Sequence, residues 1–90
     1  MSRTAQIDVD KVAEGSYEVL IDNFTSAKTL HILMSEETYR RLSKGRSQED
    51  LIRDSVRFLL AHEPKENILK QFDIADIKKY YSHFEQEIVL

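Results

Sequence analysis

The stretch Lys28-Thr-Leu-His-Ile-Leu-Met-Ser-Glu-Glu-Thr-Tyr-Arg-Arg-Leu-Ser-Lys-Gly-Arg-Ser-Gln-Glu-Asp50 changes its apolar period at Ser35. Before that residue Leu30, Ile32 and Met34 alternate with Thr29, His31 and Leu33, the period of a strand with one buried face. After it the pattern is helical. The Ser35 hydroxyl is placed to cap a helix, Glu36 and Glu37 set negative charge at its positive end, and Met34 with Tyr39 matches a hydrophobic staple. Only Tyr39 and Leu42 supply an apolar stripe before Gly45 offers a left-handed stop, so this helix is short. Ser47 with Asp50 then resembles a capping box. It opens a longer amphipathic helix in which Leu51, Ile52, Ser55, Val56, Leu59 and Leu60 share a face. Pro64 ends that helix, because it disfavours helical backbone at Glu63.

Upstream, Ser16 to Asp22 alternates Tyr17, Val19 and Ile21 against Glu18, Leu20 and Asp22, and Ala5 to Val9 alternates more weakly. Turn formers fill Asn23 to Ala27, so a hairpin closes onto the strand at Lys28. Downstream, Ile68, Leu69, Phe72, Ile74, Ile77, Tyr80, Tyr81, Phe84 and Ile88 recur often enough for one or two further helices, broken into shorter pieces at Asp73 and Ser82. The expected class is α+β, an N-terminal β-ribbon or hairpin followed by a short helix, a long amphipathic helix and a helical C-terminal extension. Residues 1–90 form one domain, divided into an N-terminal strand region (1–27), a core (28–63) and the extension (64–90).

Composition sets the limits on function. Ninety residues, 41% apolar and 32% charged, cannot divide into two self-supporting cores. With no cysteine, disulfides and thiolate metal sites are excluded. The longest apolar run, Phe58 to Ala61, is too short for a membrane span, and the N-terminus has no apolar signal region, so a cytoplasmic address is expected. Two glycines cannot build a phosphate loop or a dinucleotide fingerprint, and no nucleophile elbow or His-Glu-x-x-His pair occurs. No enzyme, cofactor or metal site is expected; His31, His62 and His83 are dispersed, and the i,i+4 spacing of His83 and Glu87 arises in any amphipathic helix. The net charge of −3 hides a basic excess in residues 40–62, at Arg40, Arg41, Lys44, Arg46, Arg53 and Arg57. Such a run is either a solvated helical surface or an anion-facing patch.

The order strand, capped short helix, glycine turn, amphipathic helix over residues 28–63 resembles the ribbon-helix-helix superfamily of MetJ- and Arc-type repressors. The resemblance is carried by Leu30, Ile32 and Met34, by Ser35, by Gly45-Arg46-Ser47 and by Ile52-Arg53-Asp54-Ser55-Val56. It implies an intertwined homodimer in which the strand pairs with its twin and enters the DNA major groove. Thr29, His31 and Leu33 would then face the bases, while Lys44, Arg46, Ser47 and Gln48 would hold a phosphate at the helix end. Leu30, Ile32, Met34, Ile52, Val56, Leu59 and Leu60 would form the dimer interface. The outward triad contains no Arg, Lys, Asn or Gln, the residues best suited to base readout, and the N-terminal strands are free to cover it. Two functions are therefore open: a dimeric DNA-binding regulator of transcription, or a protein-interaction or assembly module, antitoxin-like or homodimeric, with a partner held through the C-terminal extension. That extension, from Phe58 to Ile74, is similar to the end of small uncharacterised bacterial proteins, a likeness that implies no activity.

Overall fold

A computed structural model describes residues 6–23 and 26–90; Ala5 of the first expected strand, and Phe24 and Thr25 of the expected turn, lie outside them. Strand β1 (Gln6–Ala13) pairs antiparallel with β2 (Ser16–Asp22), and β2 pairs antiparallel with β3 (Ala27–Leu33). The tight turn between β1 and β2 requires Gly15, whose φ is +72° and where a Cβ would meet the Met34 carbonyl oxygen at 3.1 Å. Alternation does what the sequence predicts. Ile7, Tyr17, Val19, Ile21, Leu30 and Ile32 are buried on one face, and Asp8, Asp10, Glu18, Leu20, Thr29 and His31 are exposed on the other.

Helix α1 (Glu36–Leu42) begins where Ser35 Oγ accepts from the Thr38 amide at 3.1 Å, and α2 (Gln48–His62) where Ser47 Oγ accepts from the Asp50 amide at 3.1 Å. Between them Lys44 and Gly45 take positive φ and turn the chain. Along α2, Leu51, Ile52, Ser55, Val56 and Leu59 are buried, and Leu60 is partly buried.

Beyond Pro64 the structure departs from the expectation of a helical extension. A 3-10 turn (Lys65–Asn67) leads into a short strand, β4 (Gln71–Asp73), then a 3-10 helix (Ile74–Lys79) and a single short helix, α3 (Phe84–Ile88). Asp73 caps the 3-10 helix through the Ala75 amide, whereas Ser82 caps nothing and α3 starts after His83. Strand β4 lies parallel to β3, with His31, Ile32 and Leu33 opposite Gln71, Phe72 and Asp73, which gives a four-stranded mixed sheet in the order β1-β2-β3-β4.

That pairing overturns the ribbon-helix-helix architecture and its intertwined dimer. A ribbon strand needs a free edge for its twin, but β3 is bonded to β2 on one side and to β4 on the other. The residues expected at a dimer interface are spent inside one chain. Leu30, Ile32, Met34, Ile52, Val56 and Leu59 belong to a single core with Ile68, Ile74, Ile77, Phe84 and Ile88 of the C-terminal segment. From sequence, Ile52, Val56, Leu59 and Leu60 carry more apolar surface than a short ribbon and the first helix can cover; in the structure β1 and the segment after Pro64 supply the cover. Lys28 fastens that segment by donating to the carbonyls of Lys65 (2.8 Å), Glu66 (3.3 Å) and Ile68, and the nearly buried Lys65 ammonium donates back to Asn23 Oδ1 at 2.9 Å.

Two buried side-chain oxygens have no hydrogen-bond partner among the described residues, one on Glu85 and the hydroxyl of Tyr17. Tyr17 is fully buried. Burial also holds this phenol above its ordinary range. Stability that depends on a neutral Tyr17 is fully present below the unfolded value of about 10 and is lost as pH rises through the higher folded value. Tyr17→Phe is therefore expected to raise the unfolding free energy by about 1 kcal/mol at neutral pH and to reduce the alkaline loss, measured by urea denaturation at neutral and high pH.

Candidate functional site

The sheet separates the two groups of residues expected to share a nucleic-acid surface. Thr29, His31 and the half-buried Leu33 lie on its outer face, whereas α2, which begins at Gln48 directly after Lys44, Arg46 and Ser47, packs against the inner one. Around Thr29 and His31 the register sets Leu20 and Glu18, then Asp8 and Asp10 one strand further out. Asp22 and Asp73 belong to the same face. Among the described strand residues this face offers five carboxylates and, as its one basic side chain, His31, which is hydrogen-bonded to Ser16 Oγ at 3.0 Å. Phosphate is repelled by such a field.

The basic run between residues 40 and 57 is largely neutralised. Arg40 pairs with Glu36 (2.6 Å), Arg41 with Glu85, Arg46 with Asp54 (2.9 Å), Arg53 with Asp50 (2.7 Å) and Arg57 with Asp54 (3.2 Å). Arg46 is the most committed. Its guanidinium also donates to the carbonyls of Ser43 (2.9 Å), Leu42 (2.9 Å) and Ile88 (2.5 Å), so it closes the C-terminal end of α1 and ties it to the end of α3. Ser47 Oγ is spent on its helix cap. Lys44 stays exposed at the turn, and Gln48 is half-buried.

A more distinctive surface lies where the end of α2 meets the C-terminal segment. A groove of about 580 Å³ is lined by Leu59 and Glu63 from the end of α2 and by Asn67, Ile68, Leu69, Phe72, Asp76, Ile77, Lys79, Tyr80 and Tyr81 from the C-terminal segment. Strand β4 creates it by bringing Phe72 into register with Ile32 on the inner face. The Tyr81 hydroxyl donates to the Glu63 carboxylate across the groove, which holds that phenol above its ordinary range, and Lys79 pairs with Asp76 at 3.0 Å. Two large apolar side chains remain open to solvent at the margin, Leu69 at 56% exposure and Tyr80 at 70%.

From sequence, Phe72, Tyr80, Tyr81 and Phe84 are expected in the core. Phe84 is fully buried, Phe72 and Tyr81 are partly buried, and Tyr80 is not. The available signal is adjacency. In Ile68-Leu69 and in Tyr80-Tyr81 two large side chains follow one another, and a segment one layer thick buries only one of each pair. Nearby, His62 at the end of α2 meets His83 and Glu87, an approach that sequence separation conceals. No helix among the described residues is long and apolar enough to cross a membrane. No protein-family model, curated protein or solved structure matches this chain.

Proposed function

We propose that this domain is a protein-interaction module, and that its docking surface is the groove between the end of α2 and the C-terminal segment. The occupant is a short amphipathic segment of a partner protein, inserting two or three large apolar side chains and presenting a basic residue to Glu63. The carrying observation is the pairing of an apolar groove with exposed Leu69 and Tyr80 at its margin. Its volume lies in the range of pockets that enclose a compact ligand, and exposed tyrosine beside aliphatic walls is the composition of interface anchors. Charge points the same way. Lys79 is already matched by Asp76, so the Glu63 carboxylate is the unbalanced charge at the groove. The regulator reading draws its support from the basic run at residues 40–57, five of whose six cations are paired with carboxylates.

The test is selection of a random peptide display library on the intact protein, with the double variant Leu69→Lys/Tyr80→Lys as counter-selection. Enriched peptides are expected to carry paired large apolar residues with a nearby Lys or Arg, and to bind the variant at least about tenfold more weakly, since each lost anchor is worth 1 kcal/mol or more. Peptides that bind both proteins equally, or no enrichment, would remove the reading. Titration with random duplex DNA runs alongside. The expected salt dependence is shallow, and a slope equivalent to several neutralised phosphates would return the function to nucleic acid.

A further inference from the structure

We propose that His62, His83 and Glu87 form a binding site for one divalent transition-metal ion, zinc by the chemistry of the donors. One ligand atom from each residue lies within 4.8 Å of the other two, and all three side chains are exposed. His83 Nε2 and Glu87 Oε2 are 2.9 Å apart across one helical turn, and the rings of His62 and His83 lie 5.7 Å apart at 70°. Tetrahedral zinc holds its donors about 3.3 Å from one another, given bonds of about 2.0–2.1 Å. Rotation about the χ angles of these exposed side chains is the motion that would bring the donors to this spacing.

The donor set is specific. Two imidazole nitrogens and one carboxylate oxygen form the His2Glu set, which leaves the fourth position to water, and imidazole favours zinc and its neighbours over magnesium or calcium. The His62 ring is steadied by Phe58 at 4.5 Å and by Tyr81 at 5.2 Å, so one ligand is partly pre-organised. The donors come from two separate parts of the chain, the end of α2 and the α3 region, so an ion at this position cross-links them. Tyr81 packs on the His62 ring and also lines the groove. The site stands on its own donors and does not depend on the groove having a partner.

The experiment is a zinc titration of the intact protein followed by calorimetry and thermal unfolding, with magnesium as control. One zinc per chain is expected, with a raised unfolding midpoint and no response to magnesium. His62→Asn, His83→Gln and Glu87→Gln are each expected to weaken zinc binding by more than the roughly 10- to 100-fold that accompanies loss of a supporting partner of a ligand. Imidazole resonances of the unsubstituted protein provide a readout independent of any variant, and those of His62 and His83 are expected to shift together. Equal zinc responses in all four proteins, or zinc saturation with neither ring perturbed, would overturn the assignment.

Discussion

Deleting residues 65–90 is expected to leave a chain that does not fold cooperatively. The deletion removes β4 from the edge of β3, and with it Ile68, Ile74, Ile77, Phe84 and Ile88 from the single core. At about 1.5–3 kcal/mol for each buried side chain, the lost burial is about 7–15 kcal/mol, as large as the whole stability of a small domain. Polar fastenings are lost as well. Lys28 loses its three carbonyl acceptors, and Arg46 loses the Ile88 carbonyl. Thermal unfolding followed by circular dichroism checks this, with no sigmoidal transition expected for residues 1–64. A truncated protein that kept the melting temperature of the full chain would mean that the segment is an arm and not a wall of the core.

Arg46→Ala is expected to cost about 2–4 kcal/mol of stability, measured by urea denaturation. Charged hydrogen bonds are worth about 1.5–3 kcal/mol each, and this guanidinium makes three to carbonyls and one to Asp54. The full value is not recovered, because the side chain is 23% exposed and Asp54 keeps Arg57 as a partner. Two of the carbonyls, Leu42 and Ser43, sit at the end of α1; Ser43 also accepts from the Arg46 amide at 2.9 Å, a bond the substitution keeps, so the Leu42 carbonyl is the one the guanidinium serves there. Arg46→Lys is expected to recover less than half of the loss, since one ammonium cannot span acceptors on both α1 and the end of α3. A phosphate-binding Arg46 would behave in the opposite way, with an unchanged melting temperature and weakened binding to duplex DNA.

Strands β2 and β3 and both capped helices are legible in the sequence because their signals are local. A period of two, a serine cap and a glycine turn each depend on residues within a few positions of one another, and Ser35 and Ser47 make the hydrogen bonds their positions suggest. The segment after Pro64 is not legible in the same way. Gln71-Phe-Asp73 is three residues long, too short to show any period, and it becomes a strand only because β3 offers an open edge to it. With that strand unseen, the apolar faces of β3 and α2 look uncovered and a second chain is invoked to cover them, although the cover lies in the tail. The groove is hidden for the same reason. The basic run is visible, but its neutralisation depends in part on Glu85, 44 positions from Arg41.

The most direct test of a self-contained sheet, with its docking surface built by the C-terminal segment, is an isotope-filtered NOE experiment on an equal mixture of labelled and unlabelled protein. Contacts within one chain are expected between His31 and Gln71, Ile32 and Phe72, and Leu33 and Asp73, and none between the β3 strands of different chains. Antiparallel β3-to-β3 contacts between labelled and unlabelled chains, with the β4 residues absent from that edge, would contradict a self-contained sheet.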